Sequence, residues 1–167
     1  MVRAMLIAVL ITIGLQGNAQ TESRITRYNY FFLEAIRQQE MGNLAAAFDL
    51  LNHARDINPK APEVYYEIAG YYVAMQNSKA ARYNFEQAAK LAPDNSTYLE
   101  KLGQFYISQN NYEDALTTYE QLYTSNKTRE DVLQILYQLY GAQNNYKKMI
   151  EMIERMELLS GAKLPIS

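Results

Sequence analysis

The chain has 167 residues, of which 49% are hydrophobic and 20% are charged, and its formal net charge at pH 7 is −2. This composition is typical of a folded domain, and the acidic balance argues against a nucleic-acid-binding protein, which needs a basic surface to displace counterions from phosphates. Without cysteine and with one histidine, the chain has no disulfide, thiolate site or thiol nucleophile, and we expect no catalytic residue, metal site or cofactor.

The first residues of the chain are typical of a secretory signal peptide. Arg3 supplies a positive charge, and a run of twelve uncharged residues follows it. Gly17 and Ala19 place small residues at the two positions that signal peptidase recognises. The alternative is a membrane anchor, but a membrane-spanning helix needs about twenty apolar residues. We therefore expect residues 1–19 to be removed, residues 20–27 to lead into the domain, and the mature chain to have no membrane span.

The rest of the chain repeats with a period of 34 residues. Pro59 and Pro93 lie one period apart, and the same step relates the small residues Ala47, Ala81 and Ala115. A fixed period of this length indicates stacked structural units. We place four units at 28–61, 62–95, 96–129 and 130–163, and residues 164–167 resemble the start of a further unit.

Each unit is predicted to consist of two helices joined by a short polar turn. Pro62, Ser96 and Thr128 stand at the starts of first helices, because proline suits the first helical turn and serine or threonine caps its free amides. Thr128 and Asp131 resemble a capping box. The predicted turns, which are rich in Gly, Asn and Ser, lie at 42–43, 76–78, 110–111 and 144–145. Since no stretch alternates as a strand would, we predict an all-α fold in which small residues let paired helices cross closely.

This pattern resembles the tetratricopeptide repeat, in which a bulky residue, Leu, a small residue, Tyr, Ala, an aromatic residue, Ala and Pro stand at fixed offsets. The second unit carries Tyr65, Ile68, Ala69, Tyr72, Ala81, Phe85, Ala88 and Pro93 at those offsets. The third unit departs from the pattern at Lys127, and the fourth departs at Met149 and Gly161. The resemblance implies a right-handed α-solenoid of about four helix-turn-helix repeats, similar to exported tetratricopeptide proteins of Gram-negative bacteria.

The resemblance also implies a concave face formed mainly by the first helix of each unit, where a partner protein would bind. The side chains expected to line this groove are Asn29, Phe32, Ile36, Gln39, Glu63, Tyr66, Val73, Glu100, Gln104, Ile107, Gln134 and Gln138. The remaining equivalent positions hold Glu40, Gly70, Ala74, Thr97, Ser108, Asp131, Gly141 and Ala142. None of these positions holds Lys or Arg, so we do not expect a carboxylate clamp. We expect an extended or helical partner segment to be anchored near Phe32 and Tyr66. The alternative, that these two residues only pack between units, stays open.

These expectations favour a non-catalytic interaction scaffold in the periplasm, associated with the envelope through its partner. One alternative is an accessory factor of an outer-membrane or polysaccharide export complex. Another, with less support from the sequence, is a hydrolase that uses paired acids. Met149, Ile153 and Met156 would lie partly uncovered at the end of the array, which predicts either a chain cut from a longer array or self-association through this face.

Overall fold

The computed structural model describes residues 2–162, with side chains described for residues 20–161. Within this part of the chain it contains no β-strand, so the predicted all-α class is confirmed. The eight helices of the described residues are α1 (Val2–Glu40), α2 (Leu44–Ile57), α3 (Pro62–Ala74), α4 (Ser78–Leu91), α5 (Ser96–Ser108), α6 (Tyr112–Ser125), α7 (Glu130–Ala142) and α8 (Tyr146–Ala162).

Two parts of the sequence prediction fall at the edges of this description. The predicted lead-in at 20–27 lies inside α1, which begins at Val2. The side chains of the predicted signal peptide and the predicted further unit at 164–167 lie outside the described residues. Among the residues that are described, no helix combines the length and apolar character that crossing a bilayer requires.

The helices form two compact units, one up to Asn77 and the other from Ser78 onward. In unit 1, α1 packs on α2 and α2 packs on α3. Their shared core contains the buried residues Tyr28, Ala35, Leu51, Ala54, Ala61, Val64 and Ile68. In unit 2, each helix from α4 to α8 packs on the next one along the chain. Successive packing of short helices is the arrangement that the period predicted.

The helix starts follow local sequence signals, with two differences from the prediction. Pro62 is the first residue of α3, as expected. At α5 the cap is Asn95 rather than Ser96, because the Asn95 side chain accepts a hydrogen bond from the Tyr98 amide at 3.2 Å. The predicted capping box of Thr128 does not form. Its amide and hydroxyl instead donate to Asn126 Oδ1, at 3.1 and 2.8 Å, in a local turn that competes with helix capping.

The four turns between paired helices share one backbone conformation. Gly42, Gln76, Asn110 and Asn144 all have positive φ angles, between 56° and 79°, and each lies one period from the next. In the second of these turns the amide of Gln76 donates to the carbonyl of Val73 at 3.0 Å, which satisfies an end of α3. The left-handed region suits glycine without strain and tolerates asparagine better than glutamine.

The close crossing of paired helices is visible where α5 meets α6. A Cβ atom added to Gly103 would lie 2.6 Å from Cε2 of the Tyr119 ring. That ring is only 1% exposed, so it is enclosed by its neighbours and has no room to move aside. Ala115, at the period predicted for small residues, is completely buried. The predicted role of the small residues is therefore confirmed for this pair.

We expect Gly103→Ala to lower the free energy of unfolding by about 1–3 kcal/mol, because the added methyl group overlaps the enclosed ring of Tyr119. Thermal unfolding followed by circular dichroism measures the change. Gly70→Ala is the matched control, since no atom lies within 4 Å of its added Cβ. Helix propensity should leave the control unchanged or more stable, by up to about 1 kcal/mol. Equal losses in both variants would contradict the close-crossing account.

We expect Gln76→Gly to raise the free energy of unfolding by about 0.5–1 kcal/mol, because it relieves a left-handed backbone at φ 56°. Gln109→Gly is the matched control, since Gln109 has an ordinary φ of −94°. Glycine there adds only flexibility to the unfolded chain and should lower stability. Chemical denaturation of the two variants compares them, and a loss of stability in both would show that the turn at Gln76 carries no strain.

Candidate partner-binding site

Unit 1 contains an open cleft built from three helices. α1 contributes Gln39 near its end, α2 contributes its first residue Leu44, and α3 contributes one face. The lining residues are Gln39, Leu44, Glu67, Gly70, Tyr71 and Ala74, around a volume of about 230 Å³. The α3 residues are spaced by three or four positions, which places them on the same side of that helix.

A short chain of hydrogen bonds crosses the cleft from α3 to α1 and back. The Tyr71 hydroxyl donates to Gln39 Oε1 at 3.1 Å. Because the amide oxygen of Gln39 accepts this bond, its NH2 group is the one that serves the Glu67 carboxylate. The three side chains thus hold one another in place on the cleft wall.

The carboxyl group of Glu67 is the electrostatic feature of the cleft. Burial raises its pKa, and the hydrogen bond from Gln39 only partly offsets this effect. The pKa values of the Tyr66 and Tyr71 hydroxyls are also raised, first by burial and then by the charge of Glu67. Among the described residues, no Lys or Arg pairs with Glu67. The cleft therefore holds a half-buried negative charge without an internal counter-charge.

Apolar surface lies exposed on the elements that form the cleft. Leu44 is 55% exposed, and a methyl group added to Gly70 would meet nothing within 4 Å. Met41 follows α1, Val73 lies on α3 and Met75 ends α3, and all three are exposed. Exposed apolar side chains in a group are typical of surfaces that bind another molecule.

The structure brings only part of the predicted groove set of unit 1 to this cleft. Gln39 lines it, whereas Glu63 accepts a hydrogen bond of 2.6 Å from the Tyr28 hydroxyl. Phe32 is half-buried, packs against the core of unit 1 and stacks on Tyr28 with ring centroids 5.9 Å apart. Of the other four residues, Ile36 and Tyr66 are half-buried, and Asn29 and Val73 are exposed. The part that each plays in binding stays a prediction.

Three of the predicted groove residues of unit 2, namely Glu100, Gln104 and Gln134, belong to an ion-pair network or lie beside it. Arg129, which precedes α7, contacts Glu100 of α5 at 3.0 Å and also binds Asp131. Gln104 donates to Glu100, and Gln134 lines a cleft next to Arg129. Ile107 is half-buried, while Gln104, Gln134 and Gln138 are exposed.

The charged groups of this network are paired with one another, whereas the Glu67 carboxylate in the cleft of unit 1 has no counter-charge in the described part of the chain. The guanidinium of Arg129 holds the pKa of Asp131 below its usual range. Positive and negative groups at this place thus satisfy one another. Within the described residues, no three His, Asp or Glu side chains come together as a metal site would need.

Sequence reasoning missed three of the residues that line the cleft of unit 1, namely Leu44, Glu67 and Tyr71. A signal for Glu67 was present, because it is a charged residue in the middle of an otherwise mostly apolar helix. Gly70, Tyr71 and Ala74 follow it at helical spacing. The contribution of Leu44 depends on how α2 approaches α3, which no local pattern encodes.

Paired helices that recur every 34 residues, joined by turns of one conformation, define a helical-repeat protein. The family profile of the tetratricopeptide repeat matches residues 72–139. Residues 72–139 thus carry tetratricopeptide repeats, and this match confirms the predicted resemblance to the family. The predicted unit boundaries stay predictions.

Solved structures of MamA share this fold. A crystal structure of MamA is 15% identical with a TM-score of 0.67, and the match covers 81% of this chain and 80% of that one. For MamA AMB-1 the identity is 14%, the TM-score is 0.68, and the coverage is 83% and 75%. For a double mutant of MamA RS-1 the identity is 14%, the TM-score is 0.66, and the coverage is 83% and 78%. At these identities the likeness shows the fold alone. No curated protein matches the sequence.

We expect Glu67→Gln to raise the melting temperature by a few degrees at pH 7, because burial disfavours the ionised carboxylate in the folded state. The raised pKa fixes the sign of the pH dependence. The destabilisation appears as the pH rises from the ordinary pKa of glutamate to the raised folded-state value, and it is absent below both. Thermal unfolding at several pH values measures this. Glu113→Gln, at an exposed site on α6, is the control and should not raise stability. If the parent and the Glu67→Gln variant had the same melting temperature at every pH, the ionised carboxylate would not be what destabilises the folded chain.

Proposed function

We propose that this protein is a non-catalytic scaffold that binds a segment of a partner protein on the exposed faces of its first helices. The observation that carries the proposal is the cleft of unit 1, which combines exposed apolar walls with a half-buried carboxylate that has no counter-charge among the described residues. A folded chain gains no stability from such a carboxylate, so a role in recognition explains it better than a role in packing. Grooves of this kind take the side chains of extended or helical segments.

The proposed location is the periplasm, with association to the envelope through the partner. Arg3, the uncharged run after it, and the small residues Gly17 and Ala19 support export. The absence of cysteine from the sequence is compatible with a periplasmic protein whose fold relies on its core. The net charge of −2 supports a protein partner rather than nucleic acid.

Two further functions are compatible with the same fold to different degrees. An accessory role in an outer-membrane or polysaccharide export complex differs from the main proposal in the partner and not in the binding surface. A hydrolase has less support. Of the paired acids Glu130 and Asp131, the second has a pKa lowered by Arg129, which suits an ion pair better than a general acid.

Self-association through the last helix is a separate part of the proposal. On α8, Ile150 is 56% exposed and Leu158 is 74% exposed. Ile153 is also exposed, as the sequence predicted, whereas Met149 and Met156 are half-buried. These side chains offer apolar surface to a second copy.

The scaffold proposal is tested by selecting random peptides, displayed on phage, against the immobilised protein. The affinity of a selected peptide is then measured by fluorescence anisotropy. We expect Tyr66→Ala to weaken binding by roughly tenfold, because binding energy concentrates in a few aromatic anchors, with little change in melting temperature. The matched control is Tyr83→Ala on α4, where the side chain is 55% exposed; it should not change the affinity.

Three results would count against this proposal. Failure to select any peptide would overturn the scaffold function. Equal weakening by both tyrosine variants would show that the peptide does not bind at the predicted groove. Unfolding of the Tyr66→Ala variant would show that this residue is part of the core and not an anchor.

A further inference from the structure

The cleft of unit 1 also indicates which partner side chain it takes, an inference that rests on the proposed scaffold function. We propose that it binds a lysine or arginine side chain of the partner segment. The cationic group pairs with the Glu67 carboxylate, and the aliphatic part of the side chain lies against Leu44 and Ala74.

The negative charge of Glu67 is the first reason to expect a cationic side chain in the cleft. A carboxylate accepts hydrogen bonds at about four lone-pair sites, and Gln39 is the neighbour that serves Glu67. Glu34, on α1, shows the contrast within the same unit. Its two oxygens receive bonds of 2.5 and 2.8 Å from Arg37, and Gln38 adds a third at 2.7 Å. No Lys or Arg of the described residues supplies such a counter-charge to the half-buried Glu67.

The size and shape of the cleft are the second reason to expect a single long side chain there. Its volume of about 230 Å³ is below the roughly 300–1,000 Å³ of small-molecule sites, and it suits one long side chain. Gly70 leaves open space beside the carboxylate, since an added Cβ would meet nothing within 4 Å. The Tyr71 side chain forms part of the cleft wall.

The combination of these two features selects the class of ligand. Lysine and arginine carry an apolar stem that packs on hydrocarbon and a charged end that pairs with an acid. An anionic side chain would be repelled by Glu67, and a purely aliphatic one would leave the carboxylate buried and unpaired. A metal ion needs further ligands, and no cluster of three acids or histidines occurs in the described residues.

The first experiment compares peptides selected from a random phage library on the parent and on the Glu67→Gln variant. We expect the peptides selected on the parent to share a Lys or Arg at one fixed position. Those selected on the variant should lose that preference, because the glutamine amide carries no charge but keeps the shape of the side chain.

The second experiment is a double-mutant cycle. One parent-selected peptide is synthesised with its basic residue and with methionine in that place, and both dissociation constants are measured by anisotropy. We expect Glu67→Gln to weaken the basic peptide by roughly tenfold, since charge-assisted hydrogen bonds are about twice as strong as neutral ones. The methionine peptide should change by less than about twofold, because it never made the ion pair.

Two further variants distinguish the effect of the Glu67 charge on peptide affinity from the effect of the open space in the cleft. Gly70→Leu fills the cleft without changing its charge and should weaken the basic peptide at least as much as Glu67→Gln does. Glu113→Gln on α6 removes one exposed negative charge from the chain and should leave the affinity unchanged. Equal effects of Glu67→Gln and Glu113→Gln would show a general charge effect and would overturn the proposed pairing.

The outcomes distinguish this inference from the function on which it rests. Selected peptides that bind but share no basic residue, or a cycle without coupling, would overturn the basic-side-chain proposal and leave the scaffold function standing. The absence of any selected peptide would overturn the scaffold function, and this inference with it. A shared Lys or Arg that couples to Glu67 would support both.

Discussion

The close approach of the two helices in a pair is the constraint on which the rest of the structure depends. At Gly103 the space that a Cβ would need is taken by the ring of Tyr119, and that ring is enclosed. Ala115 of the same pair has no exposed surface, and neither has Ala35, which stands at the point equivalent to Gly103 in the first pair. Because small residues bring the axes together, larger side chains such as Leu99 and Leu133 are fully or almost fully buried in unit 2.

The turns between paired helices repeat the same geometry in each period of the chain. Gly42, Gln76, Asn110 and Asn144 reverse the helix direction with the same left-handed residue at the same point of each period. In unit 1 this geometry places α1 beside α3, so that Tyr71 reaches Gln39 across the gap between the two helices. The faces of these helices that do not pack in the core are then free to present side chains to a partner.

The candidate site contains a half-buried acid, Glu67, that has no counter-charge among the described residues. Buried charges in proteins are normally paired with an opposite charge, and the half-buried Arg129 and Glu100 in unit 2 follow this rule at a distance of 3.0 Å. Glu67 departs from it, since burial raises its pKa and no cation of the described chain compensates. A departure of this kind lowers the stability of the folded chain, and its position beside an open, apolar-walled cleft supports the proposed role in partner binding.

Local sequence patterns were enough to predict the helical class, the 34-residue period and the positions of small residues such as Ala115, because nearest-neighbour contacts in a repeat array are encoded by local periodicity. The resemblance to the tetratricopeptide repeat implied Gln39 as a groove residue. The sequence prediction misplaced the cap at Thr128, because the amide and hydroxyl of Thr128 bond to the Asn126 side chain in a local turn instead. Only the tertiary structure joined Leu44 and Glu67 to Gln39, because a cleft between three helices is set by the distances at which their axes cross, and these follow from packing rather than from sequence spacing.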